Sequence, residues 1–89
     1  MMTIPFTGNL DAARRIKTCH RIDVTENAGT SAVARVQLKD TNSSGTLYCD
    51  IRLTLAEDKH ITFDPPLQFP GGMYVQVSAG TVRGSVTGQ

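Results

Sequence analysis

The chain has 89 residues, which fits one domain and leaves no room for a second independent core. Its nine Lys and Arg residues nearly balance eight Asp and Glu, and the formal net charge of +1 provides no broad basic field for a phosphate backbone. Nucleic acid is therefore not an expected partner. A domain of this size buries only about 60 to 65% of the surface that its unfolded chain exposes, so we expect partners to add to its stability.

The first ten residues are uncharged and mildly apolar. Residues 1–9 have neither the charged n-region nor the long apolar h-region of a signal peptide, and no later stretch reaches the roughly 18 consecutive apolar residues of a membrane span. We therefore expect a protein made in the cytoplasm, with no membrane partner. Ile4 and Phe6 have no partner in their own local pattern, so residues 1–10 are predicted to form an N-terminal arm that packs against a neighbouring subunit.

The segment from Asn9 to Val24 allows two interpretations. Asn9 suits a helix cap and residues 12–15 have good helix propensity, which would give a short helical turn over 9–15. Alternatively, residues 12–24 form one long strand with a bend, and this strand is favoured because an isolated helix so short is marginal. One face of the strand would carry Ile16, Thr18, His20, Ile22 and Val24, and the other Lys17, Cys19, Arg21 and Asp23.

Three further runs alternate apolar and polar residues with a period of two, which is typical of strands with one buried face. They span residues 32–38, 47–55 and 73–79, and their apolar sides are Ala32, Ala34, Val36 and Leu38; Leu47, Cys49, Ile51, Leu53 and Leu55; and Met73, Val75, Val77 and Ala79. Shorter strand candidates are residues 60–63, 66–69 and 81–86. Turn residues fall between these runs, at 27–29, 40–45, 57–59, 70–72 and 79–80.

Many short strands separated by turns predict an all-β fold, because only two stacked sheets bury so many one-sided strands. We expect a small antiparallel β-sandwich, jelly-roll-like, with about six to eight short strands. Residues 1–89 would form this single domain, with 1–10 as its arm or with a short helical turn near the N-terminus.

The residue types that carry catalysis are placed where they cannot cooperate locally. Cys19 and His20 are adjacent on one strand and point to opposite faces unless a bulge intervenes. Cys49 lies in an apolar stripe, where a thiol acts as a small hydrophobe. Free thiols are the default for both cysteines, and one bridge between Cys19 and Cys49 stays open. No spacing of Cys or His residues fits a metal site; His20 is interpreted as a hydrogen-bonded core-edge residue and His60 as a turn or strand-start residue. We therefore predict no enzyme, no metal and no cofactor.

Six segments form one pattern over nearly the whole chain: PFTG, RRIKTCHRIDV, ARVQLKD, GTLYCDIRLTL, TFDPPLQFPGGMYVQVSAG and GSV. This pattern resembles the small β-sandwich proteins among the structural proteins of tailed bacteriophages. In that family a strand ending in L-x-D, a strand of alternating aliphatics, a P-x-x-F-x-x-G-L-Y-V element and a terminal Gly-rich strand recur. The sequence departs from the pattern at Met73, where a leucine is commoner, and in having Cys19 and Cys49.

The resemblance implies a virion structural protein, with capsid decoration as the first expectation and a neck or tail component as the nearest variant. It implies the major capsid protein or other virion proteins as partners, a homo-oligomer with a trimer favoured, and a location in the virion. No catalytic residue carries over. The residues by themselves leave open a small ligand- or carbohydrate-binding β-sandwich module, and an enzyme or regulatory factor is a lesser alternative.

Three polar or aromatic residues are candidates for contact with a partner. Tyr48, Arg52 and Tyr74 stand on strand faces opposite the apolar stripes, and Tyr and Arg are enriched where proteins meet. Together with Ile4 and Phe6 they are the predicted interface residues. The alternative for Tyr48, Arg52 and Tyr74 is that they are ordinary solvent-facing residues of a sheet, and this explains them equally well.

Overall fold

The computed structural model describes residues 1–26, 33–54 and 57–89, and within these residues the chain is built from β-strands. No helix is present in this described part, so the predicted all-β class is confirmed. The eight described strands are β1 (Met2–Phe6), β2 (Leu10–Ala12), β3 (Thr18–Glu26), β4 (Ala34–Asp40), β5 (Leu47–Leu53), β6 (Asp58–Gln68), β7 (Met73–Ala79) and β8 (Val82–Gly88).

The strands form two four-stranded sheets, and each described strand pairing is antiparallel. Sheet 1 has the strand order β1-β8-β3-β6, and sheet 2 has the order β2-β7-β4-β5. This arrangement of eight strands in two sheets is that of a jelly roll. The predicted antiparallel, jelly-roll-like sandwich is thereby confirmed, at the upper end of the expected strand number.

Inward-facing side chains from both sheets form one hydrophobic core. Ile22 and Val86 contribute to it from sheet 1, and Leu38 and Val75 contribute from sheet 2; all four are fully buried. The two outward sides of the sandwich carry the polar residues that alternate with them. The core therefore lies between the sheets, where the period-two pattern of the strands requires it.

The predicted apolar sides agree with the structure over much of their length. In β4 and β7, the even-spaced residues Ala34, Val36, Leu38, Met73 and Val75 are buried, and in β5 so are Ile51 and Leu53. Both β5 and β7 leave the core at one end, because Leu47 and Ala79 are exposed. Ala32, Leu55 and the predicted turn at 27–29 lie outside the described residues. The candidates at 60–63 and 66–69 are parts of one strand, β6, whereas 81–86 corresponds to β8.

β3 is not the uniformly alternating strand that the sequence predicts. A β-bulge between Cys19 and Arg21 shifts its register against both neighbours, β6 and β8. Cys19 and Ile22, three residues apart, therefore both face the core, and the predicted outward position of Cys19 is wrong.

The predicted single strand over residues 12–24 is also wrong. β2 joins sheet 2 and β3 joins sheet 1, so the chain must cross between sheets at residues 13–17. There the N–H groups of Arg15 and Ile16 both donate to the Ala12 carbonyl, at 2.9 and 2.8 Å, in a single tight turn rather than a helix. This turn places the Ile16 side chain in the core.

Residues 1–10 are not a separate arm. β1 pairs along its whole length with β8, from Met2 opposite Gly88 to Phe6 opposite Gly84. Ile4 and Phe6 are buried in the core of their own chain, with 8% and 5% exposure. Their partners lie at the other end of the sequence, which is why the local pattern shows none, and the observation that made them interface candidates does not hold.

Phe6→Ala tests whether β1 belongs to the core. Removing a buried aromatic ring costs about 3–5 kcal/mol, so we expect the free energy of unfolding in urea to fall by that amount. Thr7→Ala is the control, because Thr7 is exposed and its truncation should change stability by no more than about 0.5 kcal/mol. Equal stability of the two variants would contradict the packing of β1.

Candidate functional site

Sheet 2 has a polar side turned away from the core, and this side is the first candidate surface; at its centre Gln37 is buried, and the buried Oε1 atom of Gln76 has no partner among the described residues. Strand alternation places its residues there because their neighbours along each strand fill the core. We call this surface the outer face of sheet 2; it consists of Asp11 of β2, Tyr74 and Gln76 of β7, Arg35, Gln37 and Lys39 of β4, and Asp50 and Arg52 of β5.

An arginine–carboxylate pair organises the charge on this face. Arg35 donates two hydrogen bonds to the Asp50 carboxylate, from Nε to Oδ1 at 2.9 Å and from Nη2 to Oδ2 at 2.8 Å. Hydrogen bonding from Arg35 holds the pKa of Asp50 below its usual range, and the nearby charge of Arg52 adds to this shift. Hydrogen bonding to Asp50 likewise raises the pKa of Arg35. The pair is therefore ionised at neutral pH and fixed in orientation.

Arg52 is a second, unengaged cation on the same face. It lies directly opposite Arg35, the arginine that already holds Asp50. Among the residues that the structure describes, no hydrogen bond or ion pair engages its side chain, which is exposed. A guanidinium has five N–H donors in a fork that matches a carboxylate, so Arg52 is available to an acidic partner.

The structure brings only part of the predicted interface together. Arg52 and Tyr74 share the outer face of sheet 2, in rows four residues apart along β4, or about 13 Å at roughly 3.3 Å per residue. Tyr48 lies instead at a register shift in β5, and its ring is nearly perpendicular to that of Phe69, with 5.0 Å between the ring centroids. Because Phe69 directly follows β6, this contact joins the margins of the two sheets.

The outer side of sheet 1 carries a cluster of titratable residues that sequence reasoning missed. The His60 Nδ1 atom lies 2.7 Å from Asp23 Oδ1, and Arg21 Nε donates to both oxygens of Asp23, at 3.0 and 3.1 Å. Burial by itself would raise the pKa of Asp23, but hydrogen bonds from His60 and Arg21 outweigh burial and lower it.

This cluster depends on strand register. Asp23 of β3 and His60 of β6 are direct cross-strand partners, although 37 positions separate them in the chain. His60 lies within β6, as a strand residue. Only the pairing of β3 with β6 could have revealed the contact, since neither residue carries a local signal for it. The carboxylate fixes the imidazole through one ring nitrogen and leaves the other nitrogen free to meet a partner.

Cys19 and Cys49 are both free, which is the default that the sequence favours over a bridge between them. Cys19 is buried, and its Sγ donates to the Arg21 carbonyl oxygen at 3.7 Å. Burial raises the pKa of Cys19 to about 11, and burial also raises the pKa of Cys49. Both thiols are therefore protonated at neutral pH and poor nucleophiles. His20 departs from its predicted hydrogen-bonded state, because its buried Nε2 has no partner among the described residues.

Within residues 1–26, 33–54 and 57–89, no group of three or more His, Cys, Asp or Glu side chains is arranged to hold a metal ion. No cavity opens on the surface that these residues form. The described part of the chain contains no helix that is long and apolar enough to cross a membrane. What this surface presents to a partner is two polar sheet faces and the edges of the sheets.

Comparison of the chain with models of known protein families, with curated proteins and with solved structures gave no match. The function is therefore inferred from the fold, the surface charge and the exposed sheet edges.

The Arg35–Asp50 pair makes stability depend on pH in the acid range. The folded-state pKa of Asp50 lies below its unfolded value, so the pair stabilises the fold above the unfolded pKa, and this contribution is lost as the pH falls through the folded-state pKa. In urea denaturation at neutral pH we expect Asp50→Asn to unfold more easily than the unmodified chain. The difference should shrink on acidification to about pH 3.

Arg35→Gln supplies the control for this effect. In that background the carboxylate has lost its hydrogen-bond donor, so adding Asp50→Asn should cost much less stability at neutral pH. An Asp50→Asn effect that is the same with and without Arg35 would contradict the assignment.

Proposed function

We propose that this chain is a structural protein of a bacteriophage virion, and specifically a decoration protein that binds and stabilises the outer surface of the head. The observation that carries the proposal is the outer face of sheet 2, a polar surface with an unengaged arginine and a tyrosine on a jelly roll. Viral capsid proteins use this fold, and so do lectins, so the fold supports the proposal by analogy only. The sequence pattern that resembles phage structural β-sandwiches points the same way.

The dimensions of the molecule suit attachment through one broad side. Its principal extents are 36 × 24 × 18 Å. The shortest extent corresponds to two sheets stacked about 10 Å apart with their outward side chains, so the broad sides are the sheet faces. Such a side is comparable with the roughly 800 Å² that each partner buries in a standard protein interface. One face is therefore large enough to dock on a capsid.

The chemistry of the outer face of sheet 2 suits a protein partner. Tyr74 is half-buried, and its aromatic ring would lose little rotamer entropy on binding. The side chain of Arg35 is already fixed by Asp50, so it would also lose little. The face carries three cationic residues and two acidic ones, so it complements an acidic patch. Arg52 would supply the charged contact at the margin of that patch.

A small domain can hold a shell firmly even when each contact is weak. Many copies on a symmetric surface add their contacts, and the effective concentration of neighbours raises the overall avidity. The same face could serve a neck or tail component, where the partner would again be a virion protein. A ligand- or carbohydrate-binding module is the remaining alternative from the sequence.

Electron microscopy of particles made with and without the chain tests the proposal directly. We expect added density on the outside of the head, and heads that lack the chain should break open at lower temperature or lower salt. Density at the neck or tail would favour the nearest variant. Particles that neither contain the chain nor differ in its absence would rule out a virion role, and binding to glycans by the purified chain would then favour the lectin-like alternative.

Matched arginine variants test which face docks. Arg52→Ala removes the unengaged cation of sheet 2, whereas Arg83→Ala removes an exposed arginine from β8 of sheet 1. We expect Arg52→Ala, and independently Tyr74→Ala, to weaken binding to the head roughly tenfold, since hot-spot truncations cost more than about 1 kcal/mol. Occupancy measured by gel densitometry of purified heads should be unchanged for Arg83→Ala. Equal losses for both arginine variants would contradict docking through sheet 2.

A further inference from the structure

The edge strands of the sandwich are not equally protected against pairing with another strand. β1 contains Pro5, β6 contains Pro65 and Pro66, and β2 is only three residues long. Proline and short length are two of the features that keep a sheet edge from adding a further strand, and β-bulges and charged side chains are others. β5 has seven residues and no proline; its register shift at Tyr48 lies near its start, its residues 49–53 pair with β4 without a further shift, and no described strand pairs with it on the side away from β4. It is the open edge of the described structure.

The core is also less completely covered beside β5 than at the opposite margin. Beside β1 and β2, the core residues Ile4, Phe6 and Ala12 are buried, and Leu10 is half-buried. Beside β5 and β6, Ile51 and Leu53 of β5 are buried, but four side chains that pack against the core are only half-buried: Cys49 of β5 and Ile61, Phe63 and Leu67 of β6. Burial of apolar surface contributes about 25 cal/mol of favourable free energy for each Å² removed from water. A partner lying along β5 would therefore be stabilised by covering this margin.

Charge selects one register for the antiparallel pairing of two copies of β5. In such a pair, residues directly opposite each other have side chains on the same face of the sheet. Because side chains alternate along β5, the two-fold axis must then pass between two copies of the same residue. Centring on Asp50 brings two carboxylates together, and centring on Arg52 brings two guanidinium groups together. Centring on Ile51 places Asp50 opposite Arg52 twice, once on each side of the centre. Opposite charges in such positions stabilise a strand pair, and like charges destabilise it.

We infer that β5 pairs with β5 of a second copy of this chain in the register centred on Ile51. The two copies of sheet 2 then form one continuous antiparallel sheet of eight strands, related by a two-fold axis. Arg52 of each copy gains the Asp50 carboxylate of the other, which keeps lone pairs for a second donor while it accepts from Arg35. This self-association goes beyond the proposed function and does not depend on it, but it engages Arg52, so Tyr74 is the residue of the outer face of sheet 2 whose truncation tests docking alone.

Light scattering on the purified chain gives the first test. We expect twice the 9.6 kDa mass of one chain, falling towards the single-chain mass on dilution. Arg52→Glu sets two like-charge pairs across the axis and should weaken the dimer at least about a hundredfold, whereas Arg52→Lys should retain it. A single-chain mass at millimolar concentration, a trimer mass, or equal dimerisation of the two variants would overturn the inference.

Mixing two charge variants tests the register itself. Asp50→Lys, like Arg52→Glu, sets like charges opposite each other when it pairs with itself. A mixed pair of the two variants is complementary at both positions, because the introduced lysine meets the introduced glutamate and native Asp50 meets native Arg52. We therefore expect each variant alone to be a monomer and the mixture to be a dimer. Folded variants that stay monomeric on mixing would overturn the register.

Asp50→Lys also removes the partner of Arg35, so circular dichroism must show that the variant folds. If it does not, hydrogen exchange of the unmodified chain decides the question. Alternate amides of β5 point away from β4 and should become protected as the concentration rises, while the amides of the β1 edge should not change. Concentration-independent exchange in β5 would overturn the inference.

The same measurements separate this inference from the proposed function. Tyr74 lies on β7, two strands from the β5 edge in the order of sheet 2. We expect Tyr74→Ala to lower the occupancy of heads and to leave the dimer mass unchanged. A loss of dimer in Tyr74→Ala would contradict pairing through β5, whereas normal occupancy would contradict only the docking face.

Discussion

The burial of one side of each sheet against the other is the interaction on which the rest of the structure depends. Ile22 and Val86 in sheet 1 and Leu38 and Val75 in sheet 2 are fully buried, and a slip of one residue in any strand would turn such side chains to solvent. Register is thereby fixed, and register decides which polar residues meet. The bulge after Cys19 shows the consequence, because it turns that thiol inward while Asp23 faces His60.

The sandwich offers different surfaces for different contacts. Its broad sides are polar and held by ion pairs such as Arg35–Asp50, which suits docking on a large partner. Its β5 edge carries backbone groups that pair with no described strand, beside half-buried apolar residues, which suits pairing with an equivalent strand. Because the two-fold axis of such a dimer is perpendicular to sheet 2, both outer faces would lie on one side, with Asp50 and Arg52 engaged near the axis and Tyr74 of each copy still accessible to the proposed partner.

Sequence reasoning identified much of the fold and part of the candidate surface. The alternation in residues 34–38 and 73–75 indicated buried faces that the structure confirms, and Arg52 and Tyr74 indeed lie on the outward side of sheet 2. The position of Tyr48 was not predicted correctly, because a register shift in β5 moves its ring towards Phe69. The sequence pattern also did not predict the pairs Arg35–Asp50 and Asp23–His60, since the two residues of each pair lie on different strands.

The amino-acid sequence by itself determined the all-β class and, for β4 and β7, the approximate position of the strand and the side that is buried, because these follow from a period-two pattern within a few residues. Tertiary structure decided that the first residues belong to the core, which strands form the edges and which charges pair. β1 and β8 come from opposite ends of the chain, and β3 pairs with both β6 and β8. Such contacts depend on strand order and register, which no local pattern encodes.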